Sequence, residues 1–70
     1  MRLSRHAKNE ARRIEATVAD VERVIADPIR VDRDRFGKPR YTGYIGKFRV
    51  RIVIALDEPD FVVTIHERRN

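Results

Sequence analysis

Two histidines and a run of arginines are the residues of this chain best suited to chemistry on a charged substrate. His66 lies in "FVVTIHERR", followed by Glu67, Arg68 and Arg69, and His6 lies in "LSRHAKNEARRI", followed by Arg12 and Arg13. Imidazole gains and loses a proton near neutral pH, so it serves as base or acid. Arginine keeps its proton and offers a planar fork of donors that fits phosphate. Arg49 and Arg51 are two apart in "FRVRIVIAL", a spacing that puts both on one face of a strand. If Phe61, Val63 and Ile65 turn toward a core, Val62, Thr64 and His66 fall on the other face. A histidine, two arginines and Tyr41 or Tyr44 can then share one open surface. Tyr41 and Tyr44 are three apart, so they are expected on opposite faces of their strand unless Gly43 bulges. The alternative for His66 and the arginine pair is an ordinary solvated sheet face.

The charge balance points the same way. The chain has 16 basic and 11 acidic residues, a net charge of +5 and a pI near 10.4. The excess is concentrated: residues 28–56 carry eight basic and two acidic side chains, and residues 1–16 carry five and two. Thirteen of the sixteen basic residues are arginine, which favours a polyanion-binding surface over a generic solubilising one. Arg12 and Arg13 read as solvated helix residues that add to this field. Asp32 and Asp34 alternate with arginines and read as surface charge rather than a paired acid–base site.

Seventy residues are expected to make one domain, with a small core. With no cysteine there is no disulfide scaffold, and two histidines are too few for a structural zinc site. No metal and no cofactor are expected. Packing must carry the stability, with self-association into a homo-oligomer or a partner protein as the available supplement. "MRLSRHAKNE" has no apolar stretch behind its charges, and no apolar run approaches a membrane span. The expectation is a cytoplasmic protein without a membrane partner.

These residues need elements to hold them. After a short strand in residues 1–3, Ser4 suits a helix N-cap, with Ala7, Ala11, Ile14 and Val18 on one helical face. Thr17 with Asp20 three residues on is a capping box, opening a second helix with Val18, Val21, Val24 and Ile25 as its apolar stripe. Asp27-Pro28 closes it. From Ile29 the period becomes two. "IRVDRDRF", a turn at "FGKPR", and "RYTGYI", with Gly43 as a weak point or bulge, precede a tight turn at Gly46-Lys47. In "FRVRIVIAL", Phe48, Val50, Ile52, Ile54 and Leu56 face one way. Arg49, Arg51, Val53 and Ala55 face the other, from exposed to covered. "DEPD" turns the chain into a last strand, "FVVTIHER". The fold class expected is α+β, with two short N-terminal helices packed on one face of a three- to four-stranded antiparallel sheet.

Several of these segments resemble the RelE/ParE-like toxin superfamily of bacterial toxin–antitoxin systems, in its small members that open with a Ser-x-His-Ala helix. "SRHAKNEARRI" is similar to that opening, "TVADVERVIADP" to the second helix that ends in Asn-Pro or Asp-Pro, and "VVTIHERR" to the last strand. The resemblance spans most of the chain. It implies a metal-independent endoribonuclease acting on RNA, often ribosome-bound mRNA, and restrained by a cognate antitoxin protein.

Such cleavage requires a base for the 2′-hydroxyl, a cation for the developing charge and an acid for the leaving oxygen. The candidates for catalysis are His66, His6 and Arg51, with Arg49, Arg12, Arg13, Tyr44 and Arg68 for nucleic-acid binding. His6, in the first helical turn, either touches the scissile group or fixes the start of its helix; the structural role is favoured. Relatives of the fold also bind DNA gyrase, so the alternatives are a non-catalytic nucleic-acid-binding protein and a gyrase- or partner-binding module.

Overall fold

The computed structural model describes residues 1–68; Arg69 and Asn70 lie outside the described residues. The chain runs β1 (Arg2–Leu3), α1 (Arg5–Arg13), α2 (Val18–Ala26), β2 (Arg30–Arg33), β3 (Pro39–Ile45), β4 (Phe48–Ile54) and β5 (Phe61–Arg68). The fold is α+β, with two helices and one five-stranded sheet in the order β1-β5-β4-β3-β2. The expected count of three or four strands and the all-antiparallel sheet are both corrected here. β1 joins the sheet parallel to β5, Arg2 beside Phe61 and Leu3 beside Val62, so the sheet is mixed. The short strand expected in residues 1–3 forms as Arg2–Leu3, but two residues carry no pattern that reveals a parallel partner at the far end of the chain.

Both helices begin where their capping residues place them. Ser4 Oγ accepts the Ala7 amide at 3.1 Å, and the Ser4 hydroxyl donates to the Val63 carbonyl of β5. One side chain therefore caps α1 and ties its start to the last strand. Thr17 and Asp20 form the reciprocal box at the start of α2, with hydrogen bonds of 3.1 and 2.9 Å. Ala7 and Ala11 of α1 and Val21 and Val24 of α2 are buried in one cluster with Val50, Ile52, Ile54, Val62 and Ile65 of the sheet. Val18, expected in the apolar stripe, is instead the exposed first residue of α2.

Two details of the sheet differ from simple alternation. Gly43 does not bulge: it pairs in regular register with Val50, and a Cβ placed there would stand 2.7 Å from Val24 Cγ1. Glycine is needed because α2 lies directly on the strand. In β5 the register shifts between Val53 and Ile54, where Val53 faces Thr64 and Ile54 faces Val62. Val63 is the extra residue, so Val62 rather than Val63 enters the core with Ile65. Beyond this bulge the phase matches the expected one, and Thr64 and His66 turn away from the helices. Gly46 takes a φ of +60°, the left-handed conformation the tight turn between β3 and β4 requires. No helix among the described residues is long and apolar enough to cross a membrane.

Candidate functional site

The sheet face opposite the core cluster is built by register. Arg30, Thr42, Arg51 and His66 are cross-strand neighbours in one row from β2 to β5. Asp32, Arg40, Val53 and Thr64 form the next row, and Tyr44, Arg49 and Arg68 form the row on the other side. Residues directly opposite in an antiparallel pair project to the same side. Arg51 and His66 are therefore immediate neighbours, and so are Arg49 and Arg68.

The charges on this face are not balanced. Asp32 is held by Arg40 through a bidentate pair at 2.9 and 2.8 Å. That contact with Arg40, despite some desolvation, lowers the Asp32 pKa and raises that of Arg40. Among the described residues, no such partner is found for Arg51. Its pKa is pushed below the ordinary arginine value, first by desolvation and then by Arg68 and Arg40, with Asp32 opposing. Arg51 Nε and Thr64 Oγ1 are buried without a hydrogen-bond partner among the described residues. Orphaned polar atoms of this kind usually have a purpose, and an anion would balance the Arg51 charge. Arg49 beside Arg68 is a directly opposed like-charge pair, which an anion would also relieve.

His6 enters this site from another element. Ser4 anchors the start of α1 at Val63, and two residues later the His6 ring lies 6.2 Å from the His66 ring, centroid to centroid, with the planes tilted by 59°. β1 pairs only with the first two residues of β5, so the later part of β5 is free for α1 to lie alongside. Both imidazoles are exposed. The arrangement offers two proton-transfer groups beside a guanidinium that has no acidic partner among the described residues.

Other candidates are placed elsewhere. Arg13 is engaged by two carboxylates, Glu10 at 2.8 Å and Glu67 at 2.9 Å, which raise its pKa. It links α1 to β5 rather than presenting itself to a ligand. Arg12 lies with Leu3, Lys8 and Val18 around a separate depression. Tyr44 is in register with Arg49 but also lines a hollow with Arg23 and Asp27, at the rim of the sheet. Tyr41 is on the core side, paired with Ile52. Thr64 lies on the face of His66 as expected, whereas sequence reasoning missed Arg40 as a neighbour of the site, and also the turn between β2 and β3. Asp34, Phe36 and Lys38 of that turn line one hollow of about 270 Å³ with Arg51 and His66. The exposed aromatic at Phe36 was the available signal. Among the described residues, no group of three or more histidines or carboxylates is arranged to hold a metal.

Comparison of the chain with family models, curated proteins and solved structures finds no match.

Proposed function

We propose that this chain is a metal-independent endoribonuclease of the RelE/ParE-like toxin kind, restrained in its host by a cognate antitoxin. The observation that carries the reading is the adjacency of Arg51 and His66 across β4 and β5, with the His6 ring 6.2 Å from that of His66. In the reading, Arg51 holds the non-bridging oxygens of a phosphodiester with help from Thr64. One imidazole accepts the 2′-hydroxyl proton as the 2′-oxygen bonds to phosphorus. The other donates a proton to the 5′-oxygen as its bond to phosphorus breaks. The products are a 2′,3′-cyclic phosphate and a 5′-hydroxyl, and the two imidazoles finish with their protonation exchanged. Arg49, Arg68 and Arg30 attract and align the strand. Two helices over one side of the sheet and an open cationic face on the other also suit that toxin family.

The test is incubation of RNA with purified protein in EDTA, with and without ribosomes, followed by end-group analysis. Cleavage leaving 2′,3′-cyclic phosphate ends supports the reading. Intact RNA in both reactions, with salt-sensitive binding retained, favours a non-catalytic nucleic-acid-binding protein on the same cationic face. Growth arrest on induction of the chain alone, relieved by a neighbouring reading frame, tests the antitoxin.

A further inference from the structure

The hollow at Arg51 and His66 extends beyond the strands. Its floor is apolar, with Val53 and Val63, and its far wall is the turn between β2 and β3. That turn is rigidly made. Asp34 Oδ1 accepts the Phe36 amide at 2.9 Å and the Lys38 amide at 2.8 Å. The Asp34 amide donates to the Lys38 carbonyl at 2.9 Å, and Arg33 Nη1 donates to the Gly37 carbonyl at 2.8 Å.

This bracing holds two unusual groups at the hollow. Phe36 is 64% exposed, with only the Arg35 and Lys38 cations over its ring, at 5.2 and 5.0 Å. An aromatic left in water beside a cationic face is a stacking platform for a base. Asp34 is a carboxylate on a surface otherwise suited to polyanions. Only its Oδ1 is used by the turn, and a carboxylate has about four acceptor sites. Desolvation works against its ionisation, but the Lys38 and Phe36 amides prevail and keep its pKa below the usual range.

We propose that this turn is a nucleobase subsite and that the hollow takes one guanine nucleotide. Its phosphate lies on Arg51, its ring on Phe36, and its N1–H and N2–H donate to Asp34. An ionised carboxylate only accepts, so it selects the base edge with two adjacent donors. Adenine and cytosine set a ring acceptor beside their amino group, and uracil sets a carbonyl on each side of its single N–H. The proposal rests on the ribonuclease reading for the polymer and adds the base that the polymer must present.

The test needs no cleavage. The full chain is titrated with 5′-GMP, AMP, CMP, UMP and IMP, following the Phe36 and Lys38 amides by NMR. GMP is expected to bind roughly tenfold more tightly than AMP, CMP or UMP. IMP, which lacks the N2 amine, should lose most of that advantage, a comparison that involves no variant. Asp34→Asn keeps a carbonyl oxygen for the two turn amides and should bring GMP to the level of AMP without weakening inorganic phosphate binding, because it only removes a negative charge from the hollow. Phe36→Ala should weaken all five nucleotides. Equal affinity for the bases, or a GMP preference that survives Asp34→Asn, overturns the subsite. GMP preference without RNA cleavage removes the nuclease reading alone, and cleavage without base preference removes the subsite alone.

Discussion

The rings of His6 and His66 stand 6.2 Å apart although they come from opposite ends of the chain. One arrives on the first turn of α1 and the other on β5, and the Ser4 hydroxyl bonded to the Val63 carbonyl holds the two elements in place. Arg51 is directly across the sheet from His66, so a cation and two imidazoles meet with no contribution from a specialised loop.

On the proposed ribonuclease reading, removal of either ring should affect turnover and not folding. His66→Ala and His6→Ala are each expected to lower RNA cleavage by about 10²- to 10⁴-fold. Both side chains are exposed, so the melting temperature should stay within about 2–4 °C of the parent's, on the usual scale for surface changes of roughly 0.5 kcal/mol. The double variant should be little worse than the weaker single one if the rings act as a unit. A matching loss of stability and activity would assign them a structural role.

Arg51 should cost stability in the absence of an anion. Its Nε is buried without a partner, and Arg68 and Arg40 repel it. Arg51→Met is therefore expected to raise the melting temperature in low-phosphate buffer while abolishing cleavage. Added phosphate should stabilise the parent chain more than the variant, in which only the neighbouring arginines remain to hold the anion. A native state gains stability from an anion to the extent that it binds it. Scanning calorimetry in the two buffers decides this.

Ser4→Ala removes a helix cap and the tie to Val63 together. The cap alone is worth about 1 kcal/mol, measurable by urea unfolding. Cleavage should fall further than that loss implies, since the His6 ring is no longer held beside His66. A change in stability with full activity would show that His6 is positioned by other contacts.

Gly43→Ala should destabilise the fold by about 1–3 kcal/mol through overpacking, since the new methyl would meet Val24 at 2.7 Å. Combining it with Val24→Ala should return part of the loss. Additive losses in the denaturation midpoints would argue against the close approach of α2.

Acid should weaken the fold through two carboxylates. Asp20 is held below its usual pKa first by the Thr17 amide and then by Arg23, and Asp32 is held below it by Arg40. A depressed folded-state pKa gives stability that is present above the unfolded value, about 3.9, and lost as pH falls through the folded one. Unfolding curves between neutrality and strong acid should show that decline, and Asp32→Asn should reduce its steepness below pH about 4.

Much of the scaffold was legible locally. Ser4 and the Thr17–Asp20 box announce both helix starts, because capping chemistry is read within four residues. The alternation in β4 places Arg49 and Arg51 opposite the core, because a strand's period is two. What stayed hidden depends on distant partners. Val62 and Val63 suit either face, so nothing local marks the bulge that buries the first of them. Gly43 reads as a weak strand residue until Val24 is seen against it. Arg13 reads as a solvated cation until Glu67 arrives from the other end of the chain. Phe36 and Asp34 read as turn residues, and only the folding of their turn beside Val53 gives them a shared hollow with Arg51.

The parallel pairing of Arg2–Leu3 with Phe61–Val62 has a consequence during synthesis. The first helix can form early, but its histidine has no counterpart until β5 has been made and pairs alongside. A product cut short before β5 would carry Arg49 and Arg51 without the imidazole pair, so on the ribonuclease reading proposed above it would attract nucleic acid but be unable to cut it.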